Sequence, residues 1–170
     1  METTNNNLTG YEAPDYGVEE IEPTWSEILP GLWQGGTSRS DDFGDVKYDK
    51  STSDVTSKHF DFVATLYAWA KPVDWFVREF RYGVYDSNIE HLDMGGITEL
   101  VNMVHREWKS GSRVLVRCQM GWNRSGLVTA LVLMKEGYSA KEAINLLRTK
   151  RSKWALCNRE FEAFLLGLQN

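Results

Sequence analysis

The sequence is poor in the residues that build disulfide-rich proteins and metal centres. Its 170 residues include two cysteines, Cys118 and Cys157, too few for the disulfide framework of a secreted scaffold. It contains no CxxC pair, no HExxH motif and no His/Cys cluster with metal-ligand spacing. We therefore expect no metal and no cofactor. Two unpaired thiols are typical of a reducing compartment, so we expect a cytoplasmic protein.

Long hydrophobic runs and an excess of positive charge are also missing. No apolar run approaches the roughly 20 residues that span a bilayer, and the start, METTNNNLTG, lacks the basic and apolar regions of a signal peptide. The formal net charge is -5, whereas proteins that bind nucleic acids usually present an excess of Lys and Arg. We expect neither a membrane segment nor a nucleic-acid partner.

Charge and composition divide the chain into two parts. Residues 1–24 carry six acidic side chains, two Pro and three consecutive Asn, with no Lys or Arg. This composition predicts a flexible acidic N-terminal tail. Residues 25–170 are rich enough in apolar residues to form one folded domain. Within it, residues 37–58 are polar without clear periodicity, and we interpret them as a long loop with at most one short helix.

Segments typical of strands alternate with segments typical of helices over residues 25–170. SEILPGLWQGG predicts two short strands around a turn at Pro30 and Gly31. Three further β-rich segments are FDFVATLYAWA, REFRYGVY and RVLV. Together with the intervening helices, they predict an α/β fold with a central, mostly parallel sheet flanked by helices.

Helical periodicity and caps predict four helices. The first spans residues 97–108 and is closed by Gly111, and the second spans residues 127–134. A third follows a capping box formed by Ser139 and Glu142. Asn158 is the predicted cap of the last helix, whose inward residues are Phe161, Phe164, Leu165 and Leu168.

The segment RCQMGWNRSG, residues 117–126, has the residues that a phosphate-binding loop needs. It lies between a predicted strand and a predicted helix, so the helix N-terminus faces any bound anion. Gly121 permits a backbone conformation closed to other residues, and the Arg124 guanidinium can grip two phosphate oxygens. We predict that one loop binds phosphate, through Gln119, Met120, Gly121, Trp122, Asn123 and Arg124.

Cys118 stands at the start of this loop. Inward amides, a helix dipole and an arginine would all favour its thiolate, which is the nucleophilic form. The hydroxyl of Ser125 could hydrogen-bond the sulfur when it leaves, and Gly126 would allow close packing of the helix. A buried structural thiol is the alternative for Cys118. For Cys157, which has no Arg six residues later, we expect that structural role.

CQMGWNRSG resembles the Cys-x5-Arg-Ser/Thr phosphate loop of the protein tyrosine phosphatase superfamily. The chain length and the lead-in ILPGLWQGG resemble its dual-specificity branch, and the resemblance covers residues 25–168. It implies a strand–phosphate loop–helix unit and makes residues 25–170 a catalytic domain. It also implies that Cys118 forms a phosphocysteine, that Arg124 binds the phosphate and the transition state, and that a separate Asp is the general acid.

Asp86, in VYDSNIEHL, matches the position of that acid, about thirty residues before the cysteine and after a strand. Protonation of the leaving oxygen eases its departure, and the same carboxylate can later deprotonate the attacking water. A turn or N-cap role is the alternative for Asp86. Asp93 is the competing candidate, although its place at the start of a helix favours a helix-dipole role. We expect a structural role for Asp61.

Arg117 departs from the family pattern, in which a His usually precedes the cysteine. Arg117 either supplies equivalent hydrogen-bond donors or points elsewhere, and the alternative to both is a charge at a strand edge. Because Arg117 replaces the usual His, the sequence does not predict the rate or the pH optimum, but the expected mechanism is unchanged.

The composition of the loop also restricts the classes of phosphorylated substrate that we expect. Residues 119–123 include no Lys, which argues against phosphoinositides. Met120 and Trp122 could form an apolar rim that stacks a phosphotyrosine ring. The sequence therefore predicts a phosphorylated protein substrate, phosphotyrosine first and phosphoserine or phosphothreonine also. Three alternatives stay open: an RNA 5'-triphosphatase-like enzyme, because the ending GxNRSG is similar; a non-catalytic phosphate-binding module; and a rhodanese-like sulfurtransferase, which the Arg-Ser-Gly ending fits poorly.

Overall fold

A computed structural model describes residues 23–37 and 53–168 of the chain. The predicted acidic tail, residues 1–24, lies outside this range except for Pro23 and Thr24. Most of the polar segment at residues 37–58 lies outside it as well, and the part that is described, residues 53–58, contains no helix.

The described residues form one five-stranded sheet. Its strands are β1 (Trp25–Leu29), β2 (Leu32–Gly35), β3 (Phe62–Thr65), β4 (Arg78–Arg81) and β5 (Val114–Arg117). Their order across the sheet is β1-β2-β5-β3-β4, and all neighbours are parallel except the β1–β2 hairpin. The predicted central, mostly parallel sheet is confirmed.

The parallel arrangement decides where the site lies. Strands β2, β3, β4 and β5 all end at the same edge of the sheet, where the carboxyl ends of parallel strands commonly carry ligand sites. The prediction of REFRYGVY as one strand was too long, because β4 ends at Arg81. Beyond it the Tyr82 hydroxyl bonds Asp93, and the chain passes through Asp86 at this edge before the next helix begins.

Four α-helices within the described residues pack on one face of the sheet. They are α1 (Met94–Lys109), α2 (Arg124–Lys135), α3 (Ala140–Lys150) and α4 (Arg159–Gly167). The predicted Ser139–Glu142 capping box and the Asn158 cap are both present. Phe161 and Leu165 of α4 are buried as predicted and Phe164 is half-buried, but Leu168, which follows the last residue of the helix, is exposed.

Arg117 lies on the opposite face of the sheet from Cys118, because successive strand side chains alternate. It is 0% exposed and belongs to the central strand, so the interpretation as a strand-edge charge was wrong. Its guanidinium donates to the Thr65 hydroxyl (2.9 Å) and the Lys71 carbonyl (2.6 Å) and pairs with Glu79 at 3.2 Å. Arg117 thus links β5 through hydrogen bonds to β3, to β4 and to the segment that contains Lys71.

The end of β2 and the loop after β5 approach each other backbone to backbone. Gly121 has φ +74°, and a Cβ added to it would lie 2.3 Å from the Gly35 carbonyl carbon and 2.5 Å from the Gly36 nitrogen. A Cβ added to Gly36 would in turn lie 2.6 Å from the Gln119 carbonyl oxygen. Glycine is therefore required on both sides of this contact.

Removal of Arg117 should cost far more stability than removal of an exposed arginine of the same sheet. We expect Arg117→Met to lower the free energy of unfolding by about 3 kcal/mol, since it removes a buried guanidinium that bonds Thr65, Glu79 and the Lys71 carbonyl at once. Arg78→Met, the matched control, breaks an exposed pair with Glu107 and should cost about 1 kcal/mol or less. Urea denaturation measures both, and equal losses would contradict the structural role of Arg117.

Alanine at Gly121 should be much more harmful than alanine at Gly137. Both glycines have positive φ, but a Cβ at Gly137 would meet nothing within 4 Å. Gly137→Ala should therefore cost only the backbone strain, about 1–2 kcal/mol. Gly121→Ala adds a backbone collision, so we expect a larger fall in the urea midpoint together with loss of phosphate binding. A fall no larger than that of Gly137→Ala would refute the close approach.

Candidate active site

A pocket of about 110 Å³ opens at the carboxyl edge of the sheet, between the loop after β5 and the residues that precede α4. We call residues 118–124 the phosphate loop and residues 82–88 the acid loop. The pocket brings together most of the predicted site residues. Its lining consists of Asp86, Cys118, Gln119, Met120, Trp122, Asn123, Arg124 and Cys157.

The carbonyl groups of the phosphate loop point away from the pocket. Each of the four carbonyls of residues 119–122 accepts a hydrogen bond from a group outside the loop. The donors are, in order, Thr37 N–H (2.8 Å), Arg151 (3.1 Å), Gln34 with Arg151 (3.0 and 3.2 Å) and Leu156 N–H (3.2 Å). In a planar trans peptide the next N–H points opposite to the carbonyl. The N–H groups of residues 120–123 therefore face the interior of the loop, as binding of an anion requires.

Arg151 is the main support of this arrangement. Its guanidinium is buried behind the loop, where it donates to the carbonyls of both Met120 and Gly121. It also donates to the Pro23 carbonyl and, at 3.4 Å, to the Ser26 hydroxyl at the β1 end of the sheet. Sequence reasoning did not find this residue, because Arg151 is 30 residues from Gly121 and belongs to no local motif.

Cys118 lines the pocket, whereas Ser125, another predicted site residue, is fully buried beside the thiol and does not line it. The Cys118 thiol is buried and lies 3.3 Å from the Ser125 hydroxyl. Ser125 is in the first turn of α2, whose N-terminus is directed at the same point. The inward amides and the helix N-terminus are both positive ends of dipoles, so they stabilise an anion placed above the sulfur.

Arg124 is placed to hold that anion. Its Nε is buried and has no hydrogen-bond partner among the described residues, and its two terminal nitrogens make long contacts with Val84 O (3.4 Å) and Gln119 Oε1 (3.5 Å). The Tyr67 ring lies 5.1 Å from the guanidinium carbon and supports the planar group from one side. A guanidinium with these weak contacts retains donors for a phosphate.

Asp86 reaches the pocket from the acid loop. Its carboxylate accepts hydrogen bonds from the side-chain amides of Asn123 (3.1 Å) and Asn158 (2.8 Å). The structure therefore places this carboxylate in the lining of the same pocket as the Cys118 thiol.

The other two aspartates have structural partners. Asp93 is the N-cap of α1, where it accepts from Gly96 N–H at 3.2 Å, and the Tyr82 hydroxyl bonds its other oxygen at 2.8 Å. These hydrogen bonds, first that of Tyr82, hold the pKa of Asp93 below its usual value. Hydrogen bonds from Arg113 lower the pKa of Asp61 in the same way. Neither residue lines the pocket, so Asp86 is the carboxylate that geometry favours.

The structure corrects one expectation about the pocket wall. Trp122 is 4% exposed and packs near Trp154, so its ring belongs to the buried wall and not to an exposed rim. Met120 is 53% exposed and remains available at the rim. Cys157, for which a structural role was expected, lines the pocket and donates its thiol to Asn123 Oδ1 at 3.4 Å. Its separation of 34 residues from Asn123 left no signal in the sequence.

Neither a metal-binding cluster nor a membrane-spanning helix is found among the described residues. Residues 23–37 and 53–168 contain no group of three or more His, Cys, Asp or Glu side chains arranged to hold a metal ion. In the same range, no helix is both long and apolar enough to cross a bilayer.

Comparison with known proteins agrees with this geometry. Residues 47–170 match the family model described as "Dual specificity phosphatase, catalytic domain". The chain is 33% identical over 57 residues to "Putative tyrosine phosphatase 123R" of Invertebrate iridescent virus 6. That match covers 33% of the chain and 40% of the viral protein.

Solved structures of similar fold include one human protein and one viral protein. Human DUSP28 superimposes with a TM-score of 0.66 at 18% identity and covers 88% of this chain and 98% of its own. OH1 from the Orf virus, described as a tyrosine phosphatase with triple substrate specificity, gives a TM-score of 0.60 at 14% identity and covers 87% of each chain. The resemblance found in the loop sequence is confirmed by the family match over residues 47–170, and the chain belongs to the dual specificity phosphatase family.

Proposed function

We propose that the protein is a cysteine-dependent phosphatase that hydrolyses phosphotyrosine in proteins through a phosphocysteine intermediate, without a metal or other cofactor. One observation carries the proposal: a single pocket of about 110 Å³ is lined by the Cys118 thiol, the Arg124 guanidinium and the Asp86 carboxylate. A nucleophile, a cation for the phosphate and an acid for the leaving group are the three parts that such a reaction needs.

The first step transfers the phosphoryl group to sulfur. The Cys118 thiolate attacks the phosphorus from the base of the loop, in line with the ester oxygen at the mouth. The inward amides of residues 120–123 and the fork of Arg124 bind the equatorial oxygens, where charge is spread in the transition state. Protonated Asp86 gives its proton to the departing oxygen, so that a neutral phenol or alcohol leaves.

The second step returns the enzyme to its starting state. Asp86, now a carboxylate, takes a proton from a water molecule that attacks the phosphocysteine. The sulfur leaves as a thiolate, and the Ser125 hydroxyl, 3.3 Å away, donates a hydrogen bond to the developing negative charge. Inorganic phosphate then dissociates.

The rim supports an aromatic substrate. Met120 is exposed beside the pocket, and Tyr85, next to Asp86, is 77% exposed. Both offer apolar surface to the ring of a phosphotyrosine, and phosphoserine and phosphothreonine are proposed as secondary substrates.

We propose a phosphorylated protein as the partner, with no nucleic acid. We also propose a cytoplasmic location, where a reducing environment would keep Cys118 and Cys157 as the free thiols that the structure contains.

Hydrolysis of p-nitrophenyl phosphate and of a phosphotyrosine peptide, with EDTA and reductant present, tests the mechanism. The wild-type protein should be active, and Cys118→Ser should show no turnover. Asp86→Asn should lose about 10²-fold or more in kcat on the peptide, the scale of a missing general acid. Asp93→Asn, the matched control, removes an aspartate outside the pocket and should retain wild-type activity.

Other outcomes point to the alternatives. An inert protein that still binds a phosphopeptide would be a phosphate-binding module. Activity on an RNA 5'-triphosphate but not on the peptide would identify the triphosphatase-like enzyme. Thiosulfate-dependent sulfur transfer would identify a sulfurtransferase. Each of these results would overturn the proposed function.

Arg151 should matter for catalysis although it lies behind the loop. Arg151→Met removes the donors that turn the Met120 and Gly121 carbonyls outward, and a loop displaced by about 1 Å can lose on the order of 10²-fold in rate. We expect a loss of that scale in kcat/KM. Arg113→Met, the control, also removes an arginine bonded to backbone carbonyls, at residues 57 and 58, far from the pocket. It should leave kcat/KM unchanged, and equal effects would contradict a specific role for Arg151.

A further inference from the structure

The Asp86 carboxylate is held by side chains from two distant parts of the chain. Its Oδ2 accepts the amide N–H of Asn123 at 3.1 Å, and its Oδ1 accepts the amide N–H of Asn158 at 2.8 Å. Asp86 is exposed, and its part of the acid loop belongs to no helix or strand. An exposed carboxylate without partners would sample several rotamers. These two amides therefore determine where the carboxylate lies.

The orientation of the Asn158 amide is dictated by helix α4. As the N-cap of that helix, Asn158 accepts the N–H groups of Glu160 (3.0 Å) and Phe161 (3.4 Å) on its side-chain oxygen. Its amide nitrogen must then point the other way, toward the acid loop. There it serves both Asp86 and the Ser87 carbonyl, the latter at 3.2 Å.

The orientation of the Asn123 amide is dictated in a similar manner. Its side-chain oxygen accepts the Asn158 backbone N–H at 2.9 Å and the Cys157 thiol at 3.4 Å, which turns its nitrogen toward Asp86. Asn123 precedes α2, yet its side chain makes no capping hydrogen bond to that helix. Its side chain instead links the phosphate loop to the acid loop and to the start of α4.

We infer that Asn123 and Asn158 are positioning residues for the general acid of this enzyme. The inference rests on the proposed function, because it takes Asp86 as the acid. Each carboxylate oxygen has a second lone-pair position, so a proton can be carried while the amide contacts remain. The long contact of Arg124 with Val84 O, 3.4 Å, adds a further link between the two loops.

The inference predicts a particular kinetic signature. A general acid matters most for a poor leaving group and little for a good one. Loss of a positioning amide should therefore slow hydrolysis of phenyl phosphate more than that of p-nitrophenyl phosphate, whose leaving group departs readily without a proton. A change that merely loosened the fold or the phosphate loop would slow both substrates alike.

Asn158→Ser is the variant of choice, because serine keeps the helix N-cap but has no amide donor. Asn123→Ser is the second variant and tests the other contact, should Asn158→Ser fold poorly by circular dichroism. Asn88→Ser is the matched control, since Asn88 also lies on the acid loop and its side chain makes no capping hydrogen bond. The kcat/KM of each is measured with both substrates, alone and combined with Asp86→Asn.

We expect Asn158→Ser and Asn123→Ser to lower kcat/KM for phenyl phosphate by about 10-fold and that for p-nitrophenyl phosphate by much less. Neither should cause a further loss once Asp86 has been replaced, and Asn88→Ser should match wild type. Equal losses on both substrates, or an additional loss in the Asp86→Asn background, would overturn the inference alone. If Asp86→Asn itself did not slow phenyl phosphate hydrolysis, the assignment of the acid would fail, and the inference with it.

Discussion

The outward orientation of four backbone carbonyls in the phosphate loop is the constraint on which the site depends. Because these carbonyls are bonded to groups behind the loop, the amides of residues 120–123 must face the pocket. The arrangement needs a glycine in the left-handed region at Gly121, a strand end without side chains at Gly35 and Gly36, and a buried guanidinium at Arg151. Because β2 is parallel to β5 and ends beside it, Gly35 and Gly36 lie against Gly121, and the C-terminal end of α3 places Arg151 behind the loop.

The side chains on the two faces of the central strand β5 have different roles. On one face, the side chains point toward the helices and belong to Val114, Val116 and Cys118. The Cys118 sulfur therefore lies at the N-terminus of α2. Leu115 and Arg117 face the other way, where Arg117 joins three strands through Thr65, Glu79 and the Lys71 carbonyl. The hydrogen bonds of Arg117 thus lie on the face of the sheet opposite to Cys118. In this chain the residue before Cys118 anchors the sheet.

Connections across the pocket make one unit of the phosphate loop, the acid loop and the start of α4. The Asn123 side chain bonds both Asp86 and the residues at the start of α4, and Asn158 bonds Asp86 in return. This set of hydrogen bonds holds the Asp86 carboxylate in the lining of the pocket that also contains the Cys118 thiol. Preorganisation of this kind lowers the cost of reaching the transition state, because less reordering is left for the reaction itself.

The sequence by itself determined the features that are encoded by residues close together along the chain. These are the strand–loop–helix unit around Cys118 and Arg124 and the helix caps at Ser139 and Asn158. The alternation of strand and helix segments also predicted the mostly parallel sheet. Local hydrogen bonds and periodicity encode these features, so they could be predicted. Only the tertiary structure decided which distant side chains meet. Arg151 behind the loop, Asn158 on Asp86 and the burial of Arg117 join residues 30, 72 and 52 positions apart. The spacing of residues along the chain carries no information about such contacts until the strands and helices have packed.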